Sequence, residues 1–269
     1  MSRIFLAGDF HGEIDMKDTL RNRNFPQQKE LTKDDYLIQL GDFGLIWDDP
    51  ISATTEQELV DWLSNKLFTT VVVLGNHENY DRITMLPVVD MFGGKVWKYT
   101  DSIFILQRGK VYTIGGKTFF TMGGAKSIDQ AIRTEGRSWW RQEIPSRREF
   151  MIGLSVLDSI DWNVDYVITH TIPKRMINEY MNFQREKYFK QMGCPEGWYD
   201  RISDQFVDTD YYDDKKDIVA EYLDVVFFEH NLKFKKHYFG HFHDNWVSKN
   251  GKHQMIYRAV VELIDESKG

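Results

Sequence analysis

The chain has 269 residues, of which 42% are apolar and 28% charged, the balance of a soluble globular protein long enough to bury a sizeable core. A formal net charge of −7 argues against a protein that coats nucleic acid with a basic face, so no stable nucleic-acid partner is expected. The single cysteine, Cys194, excludes an intrachain disulfide, and no stretch reaches the roughly 18 apolar residues of a membrane span, so the expectation is a cytoplasmic protein with no membrane partner.

In chain order, Ile4 to Ala7 is a short apolar run that reads as a first strand; the apolar N-terminus is too brief for a signal peptide. Glu13 to Asn24 is predicted helical, and Tyr36 to Leu40 is a second buried strand. Thr55 and Glu58 have capping-box spacing, opening a helix to Phe68 with Leu59, Trp62, Leu63 and Leu67 on one face. Val71 to Leu74 is a third strand. Buried strands joined by helices imply a largely parallel sheet. Val96–Thr100, Ile103–Gln107, Val111–Ile114 and Thr118–Met122 then read as hairpins of a second sheet region. Ser146 and Glu149 repeat the capping-box spacing and open a helix to about Ile160, followed by a strand from Tyr166 to Thr169. Helices are predicted over Lys174–Met192 and Lys215–His230, a strand over His237–Phe239 and a closing strand over Met255–Ile264. No linker-like tract divides the chain, so one domain is expected over 1–269, with a helical insertion at about 171–232.

Five of the apolar runs end on residues that can bind metal: Asp9 and His11, Asp42, Asn76 and His77, His170, and His241 and His243. In open α/β sheets, sites form at the carboxyl ends of strands. Imidazole and carboxylate together suit Mn, Fe or Zn, and the candidates are too many for one ion. Glycine precedes Asp9, Asp42, Asn76 and His241, as expected where backbone turns sharply beside a ligand.

Gly8-Asp9-Phe10-His11-Gly12, Gly41-Asp42, Gly75-Asn76-His77-Glu78, His170 and Gly240-His241-Phe242-His243 together resemble the calcineurin-like metallophosphoesterase superfamily. The resemblance spans residues 9 to 243 and implies a four-layer α/β/β/α sandwich of two mixed sheets flanked by helices. It implies two divalent ions, one held by Asp9, His11 and His243 and one by Asn76, His170 and His241, with Asp42 bridging both. His77 would lie beside them and, charged or nearly so, serve the leaving group. Two adjacent ions stabilise an in-line displacement at phosphorus by hydroxide. The expected function is hydrolysis of phosphate esters, with phosphodiester or nucleotide substrates favoured over phosphomonoesters and phosphoproteins. One departure bears on that preference. The protein-phosphatase branch continues its second motif as Gly-Asp-x-x-Asp-Arg-Gly, whereas Leu45 and Ile46 stand at its acid and arginine here. A non-catalytic binding module on this fold is a third reading, disfavoured because no ligand is missing. Glu78 is read either as a partner orienting an imidazole or as a helix-start acid.

The phosphate needs cationic donors besides the metals. Arg133 and Arg137, four apart and able to share a helical face, lie near Trp139 and Trp140 and are the substrate-binding candidates; stacking on such rings would suit a nucleotide. His230, His237 and His253 are read as structural, Cys194 as a bystander, and acidic Asp208–Asp214 as a surface turn.

Overall fold

The computed structural model describes residues 2–46, 53–192 and 217–264. Its first half runs β1 (Ile4–Ala7), α1 (Glu13–Thr19), β2 (Tyr36–Gln39), α2 (Ala53–Ser64), β3 (Thr69–Val72), α3 (Tyr80–Thr84), β4 (Val88–Met91), β5 (Gly94–Lys98) and β6 (Ile103–Leu106). The remainder runs β7 (Lys110–Ile114), β8 (Lys117–Met122), α4 (Arg147–Asp158), β9 (Tyr166–Thr169), α5 (Lys174–Gln191), α6 (Ile218–Asp224), β10 (Lys236–Phe239), β11 (Trp246–Val247), β12 (His253–Met255) and β13 (Val260–Glu262). These strands form two mixed sheets, β13-β1-β2-β3-β6-β5-β4 and β11-β12-β10-β9-β8-β7.

Alternation along the strands explains why the sheets stack. Ile4 and Leu6 of β1, Ile38 of β2 and Val71 of β3 meet Phe119, Tyr166 and Ile168 of the second sheet in a shared inner core. Their neighbours Phe5, Ala7, Leu37 and Val72 face the other way, against Met16 of α1 and Leu59 and Leu63 of α2. On the far side, Phe120 and Val167 pack against Leu157 of α4 and Leu223 of α6. The result is the expected helix–sheet–sheet–helix sandwich.

Five local expectations are revised. The hairpins do not share one sheet: β4–β5–β6 extends the first, because β6 pairs parallel with β3, and only β7–β8 opens the second. The closing strand splits into β12 in the second sheet and β13 in the first, with Arg258 at φ 49° in the crossing between them. α1 stops at Thr19, and the Asp18 carbonyl accepts the Arg21 N–H at 3.2 Å and the Asn24 side-chain amide at 2.8 Å. α2 already begins at Ala53, so Thr55 lies inside it and is not its cap. The second capping box forms as read, with Ser146 and Glu149 satisfying each other's backbone N–H. The helix expected from Lys215 starts at Ile218, where Asp217 caps Val219 and Ala220, and it passes after Asp224 into a π-helical turn over Val225–Glu229. No helix among the described residues is long and apolar enough to cross a membrane.

Candidate metal centre

The five strand ends converge from two sheets, not one. β1, β2 and β3 are parallel neighbours in the first sheet, and β9 and β10 are parallel neighbours in the second. The loops that follow are laced together. The Asp42 carbonyl accepts N–H bonds from Phe10 (3.1 Å) and His11 (2.8 Å), and Asp42 Oδ1 accepts the His77 N–H at 2.8 Å. The Asp9 carboxylate accepts the His241 N–H at 3.1 Å. Four of the candidate ligands sit at positive φ: His11 (45°), Asp42 (56°), His241 (73°) and His243 (52°). Such residues are strained by about 1–3 kcal/mol each and persist where surrounding contacts hold them, typically at functional sites. Glycine is required beside them for space. A Cβ on Gly75 would overlap Asp42 Oδ1, and one on Gly240 would overlap Asp9 Oδ1.

Asp9, His11, Asp42 and His243 each bring one ligand atom to within 4.8 Å of the others. Within that group, His11 Nε2 lies 2.8 Å from His243 Nε2, which is 3.2 Å from Asp9 Oδ2. A second convergence adjoins it. Asn76 Oδ1 is 2.9 Å from His170 Nε2 and 3.0 Å from His241 Nδ1, while His170 Nε2 is 3.3 Å from Asp42 Oδ1. Asp42 therefore belongs to both. His170 Nδ1 faces the Leu40 carbonyl at 2.7 Å, a bond that holds the proton there and leaves Nε2 for the cluster when the ring is neutral.

The electrostatics suit cations. Asp9 and Asp42 are buried, and their close ion partners among the described residues are imidazoles. Buried carboxylates need a compensating positive charge. Burial alone would raise the Asp42 pKa, but a charged His170 beside it holds it well below the usual carboxylate range. Reciprocally, burial would lower the His170 pKa, and Asp42 lifts it to about 9. Burial and the charge on His170 push His241 well down. The proton on His170 thus neutralises Asp42 in a role that a divalent cation can take over, with release of that proton.

His77 lies at the rim, its ring 6.0 Å from that of His11, and its buried Nδ1 has no hydrogen-bond partner among the described residues. Burial first, and Arg133 in addition, lower its pKa against the pull of Asp42. The expectation of a charged His77 is corrected to a neutral imidazole at neutral pH. Glu78 takes neither role read for it. Its Oε1 accepts the N–H groups of Phe43 (3.0 Å) and Gly75 (3.1 Å), tying the loop after β2 to the loop after β3. Burial, then the charge on Asp42, raise its pKa to about 8.

A cavity of about 830 Å³ opens over these residues. Its walls include Ile14, Leu59, Ile128, Phe242 and Tyr257, with Arg133 on the polar side. Arg133 is half-buried, ion-paired with Asp129 at 2.6 Å and bonded to the Ser138 carbonyl at 3.1 Å. Arg137 is exposed and does not line the cavity. The two share no helical face, because a short 3₁₀ turn ends at Ile132 and Arg133 is extended. Trp140 is not a stacking platform either. It is 2% exposed within the core, with its indole N–H donated to Asp81 at 2.9 Å.

His237 and His253 form a buried pair, Nδ1 to Nδ1 at 3.0 Å, and His230 stacks on Trp162, in keeping with structural roles. Cys194 and Asp208–Asp214 lie outside the described residues. Sequence reasoning missed Tyr257, which stacks on His243 with ring centroids 5.0 Å apart. Its only signal was a tyrosine in a segment read as continuous strand.

No curated protein sequence matches the chain. Among solved structures it is similar to the phosphopantetheinyl hydrolase of Mycobacterium tuberculosis, at 12% identity and a TM-score of 0.44, covering 100% of this chain and 98% of that one. It is also similar to a protein of unknown function from Aquifex aeolicus, at 16% identity and a TM-score of 0.32, covering 64% and 80%. The sequence pattern of the calcineurin-like phosphoesterases matches residues 2–245, a span that contains every strand-end residue described above. On that match, and with a fold of two mixed sheets between helices, the chain belongs to the calcineurin-like phosphoesterase family.

Proposed function

We propose that this chain hydrolyses phosphate esters at a dinuclear metal centre, with small phosphodiesters or nucleotides as its preferred substrates. The observation that carries the reading is the double convergence on Asp42, with Asp9, His11 and His243 on one side and Asn76, His170 and His241 on the other. Imidazole nitrogens with carboxylate and amide oxygens form a donor set that fits divalent Mn, Fe or Zn. When bound, two such ions supply Lewis acidity to the phosphoryl oxygens and activate water near neutral pH. In this reading Asp42 is the carboxylate common to both ions. The neutral His77 imidazole faces the cavity as a hydrogen-bond donor to the charge that develops on the leaving oxygen. Arg133, beside His77, contacts the phosphate or its ester group.

The cleft composition supports a small organic ester over a long polyanion. Exposed Ile14 and Ile128 flank the mouth, and Phe242 and Tyr257 line the wall. Those surfaces suit an apolar or aromatic group, a nucleobase included. Leu45 and Ile46, at the positions that distinguish the protein-phosphatase branch, are buried in the core, which weighs against a phosphoprotein substrate. Comparing hydrolysis of bis-p-nitrophenyl phosphate with that of p-nitrophenyl phosphate by manganese-loaded enzyme tests the preference. The expected result is faster turnover of the diester, and a strong preference for the monoester would replace this reading with a phosphomonoesterase.

A further inference from the structure

The Asn76 side chain has two faces of nearly identical shape and opposite chemistry. Its oxygen can bind a cation and its NH₂ group cannot. The partners of Nδ2 therefore decide whether Asn76 can serve as a ligand. That atom donates to Ser127 Oγ at 3.0 Å. Ser127 is itself fixed. Its backbone N–H donates to Glu143 Oε1 at 3.1 Å, and its hydroxyl donates to Glu143 Oε2 at 2.5 Å. With its single proton given to Glu143, the Ser127 oxygen can only accept, and it selects the amide NH₂ over the amide oxygen. All three side chains are at most 2% exposed, so bulk water cannot replace either partner. Glu143 sits on a 3₁₀ turn, Arg141–Glu143, where the carbonyls of Gln142 and Glu143 accept from the buried Arg108 guanidinium at 2.7 and 3.2 Å.

We propose that Ser127, held by Glu143, is a positioning residue that keeps the Asn76 carboxamide turned with its oxygen toward His170 and His241. The inference rests on the dinuclear reading. Without the serine oxygen, the amide can rotate and present its NH₂ group to the ion that His170 and His241 hold. Residues that orient metal ligands typically contribute about 10- to 100-fold to metal affinity.

The test is calorimetric titration of metal-free protein with manganese, with no substrate present. Wild type takes up two equivalents; fewer would overturn the dinuclear reading itself and this inference with it. Ser127→Ala should weaken the second equivalent about 10- to 100-fold and leave the first unchanged. Ser127→Thr, which keeps the hydroxyl, should retain both. The decisive arm uses Asn76→Asp, whose side chain presents oxygen on either face. In that background Ser127→Ala should no longer weaken the second equivalent. An equal loss in both backgrounds, or no loss in either, would overturn the proposal. Thermal melts of the metal-free variants separate any folding defect from a metal effect.

Discussion

At the scale of single residues, the site places a few side chains where their atoms have no better use. Asp42 is the clearest case. Its main-chain carbonyl holds the loop after β1, its carboxylate holds the His77 backbone, and it is 3.3 Å from His170. Asp42→Asn is expected to abolish phosphoesterase activity and weaken both metal equivalents, as read by turnover and metal content. Full activity in that variant would contradict the bridging role. His77 reaches the cavity but none of the ligand convergences. His77→Ala should therefore keep its metal content and slow turnover by about 10²- to 10³-fold for esters with poor leaving groups, the range that one hydrogen-bond donor to a developing oxyanion supplies. The loss should shrink for p-nitrophenolate, whose delocalised charge needs less stabilisation. Loss of metal on the same change would make His77 a ligand.

At the scale of elements, the parallel strands were legible because each is a short apolar run that stops on a polar tip. Four of those tips announced themselves by a preceding glycine, Gly8, Gly41, Gly75 and Gly240, which the packing against Ile256, His170, Asp42 and Asp9 requires. The division of the hairpins and the split closing strand were not legible, since each depends on partners far away in sequence. β6 joins the first sheet through β3, and the crossing at Arg258 lets one segment serve both sheets. The pairing of β10 with β12 brings His237 and His253 together in an apolar setting, which has a pH consequence. Burial first, then Lys252, lower His253 to about 4, and burial with His253 pushes His237 well down. A histidine kept neutral by the fold binds protons more readily when unfolded. Its contribution is whole above the unfolded value near 6.5 and is lost as pH falls through about 4. The shift on His253 corresponds to about 3 kcal/mol across that window. The melting temperature should fall as pH drops from 6.5 to 4, and His253→Leu should flatten that part of the profile. An unchanged slope would contradict a neutral buried pair.

At the scale of the whole molecule, the sandwich sets two sheets so that three strand ends of one face two of the other. That arrangement explains why the candidate ligand residues were readable from sequence while the cleft around them was not. Ligand types are a property of the residues. The walls formed by Ile128, Tyr257 and Phe242 arise where loops from both sheets meet, and no local pattern marks them. The same holds for the Ser127–Glu143 support of Asn76, which joins residues 51 and 16 positions apart along the chain. The claim on which the rest depends is that the two convergences around Asp42 are two metal sites required for phosphate-ester hydrolysis. It is tested most directly by titrating metal-free protein with manganese while following bis-p-nitrophenyl phosphate hydrolysis. Activity should rise with metal uptake and reach its plateau at two equivalents per chain. Full activity at one equivalent, or uptake of two without hydrolysis of any phosphate ester, would contradict the account.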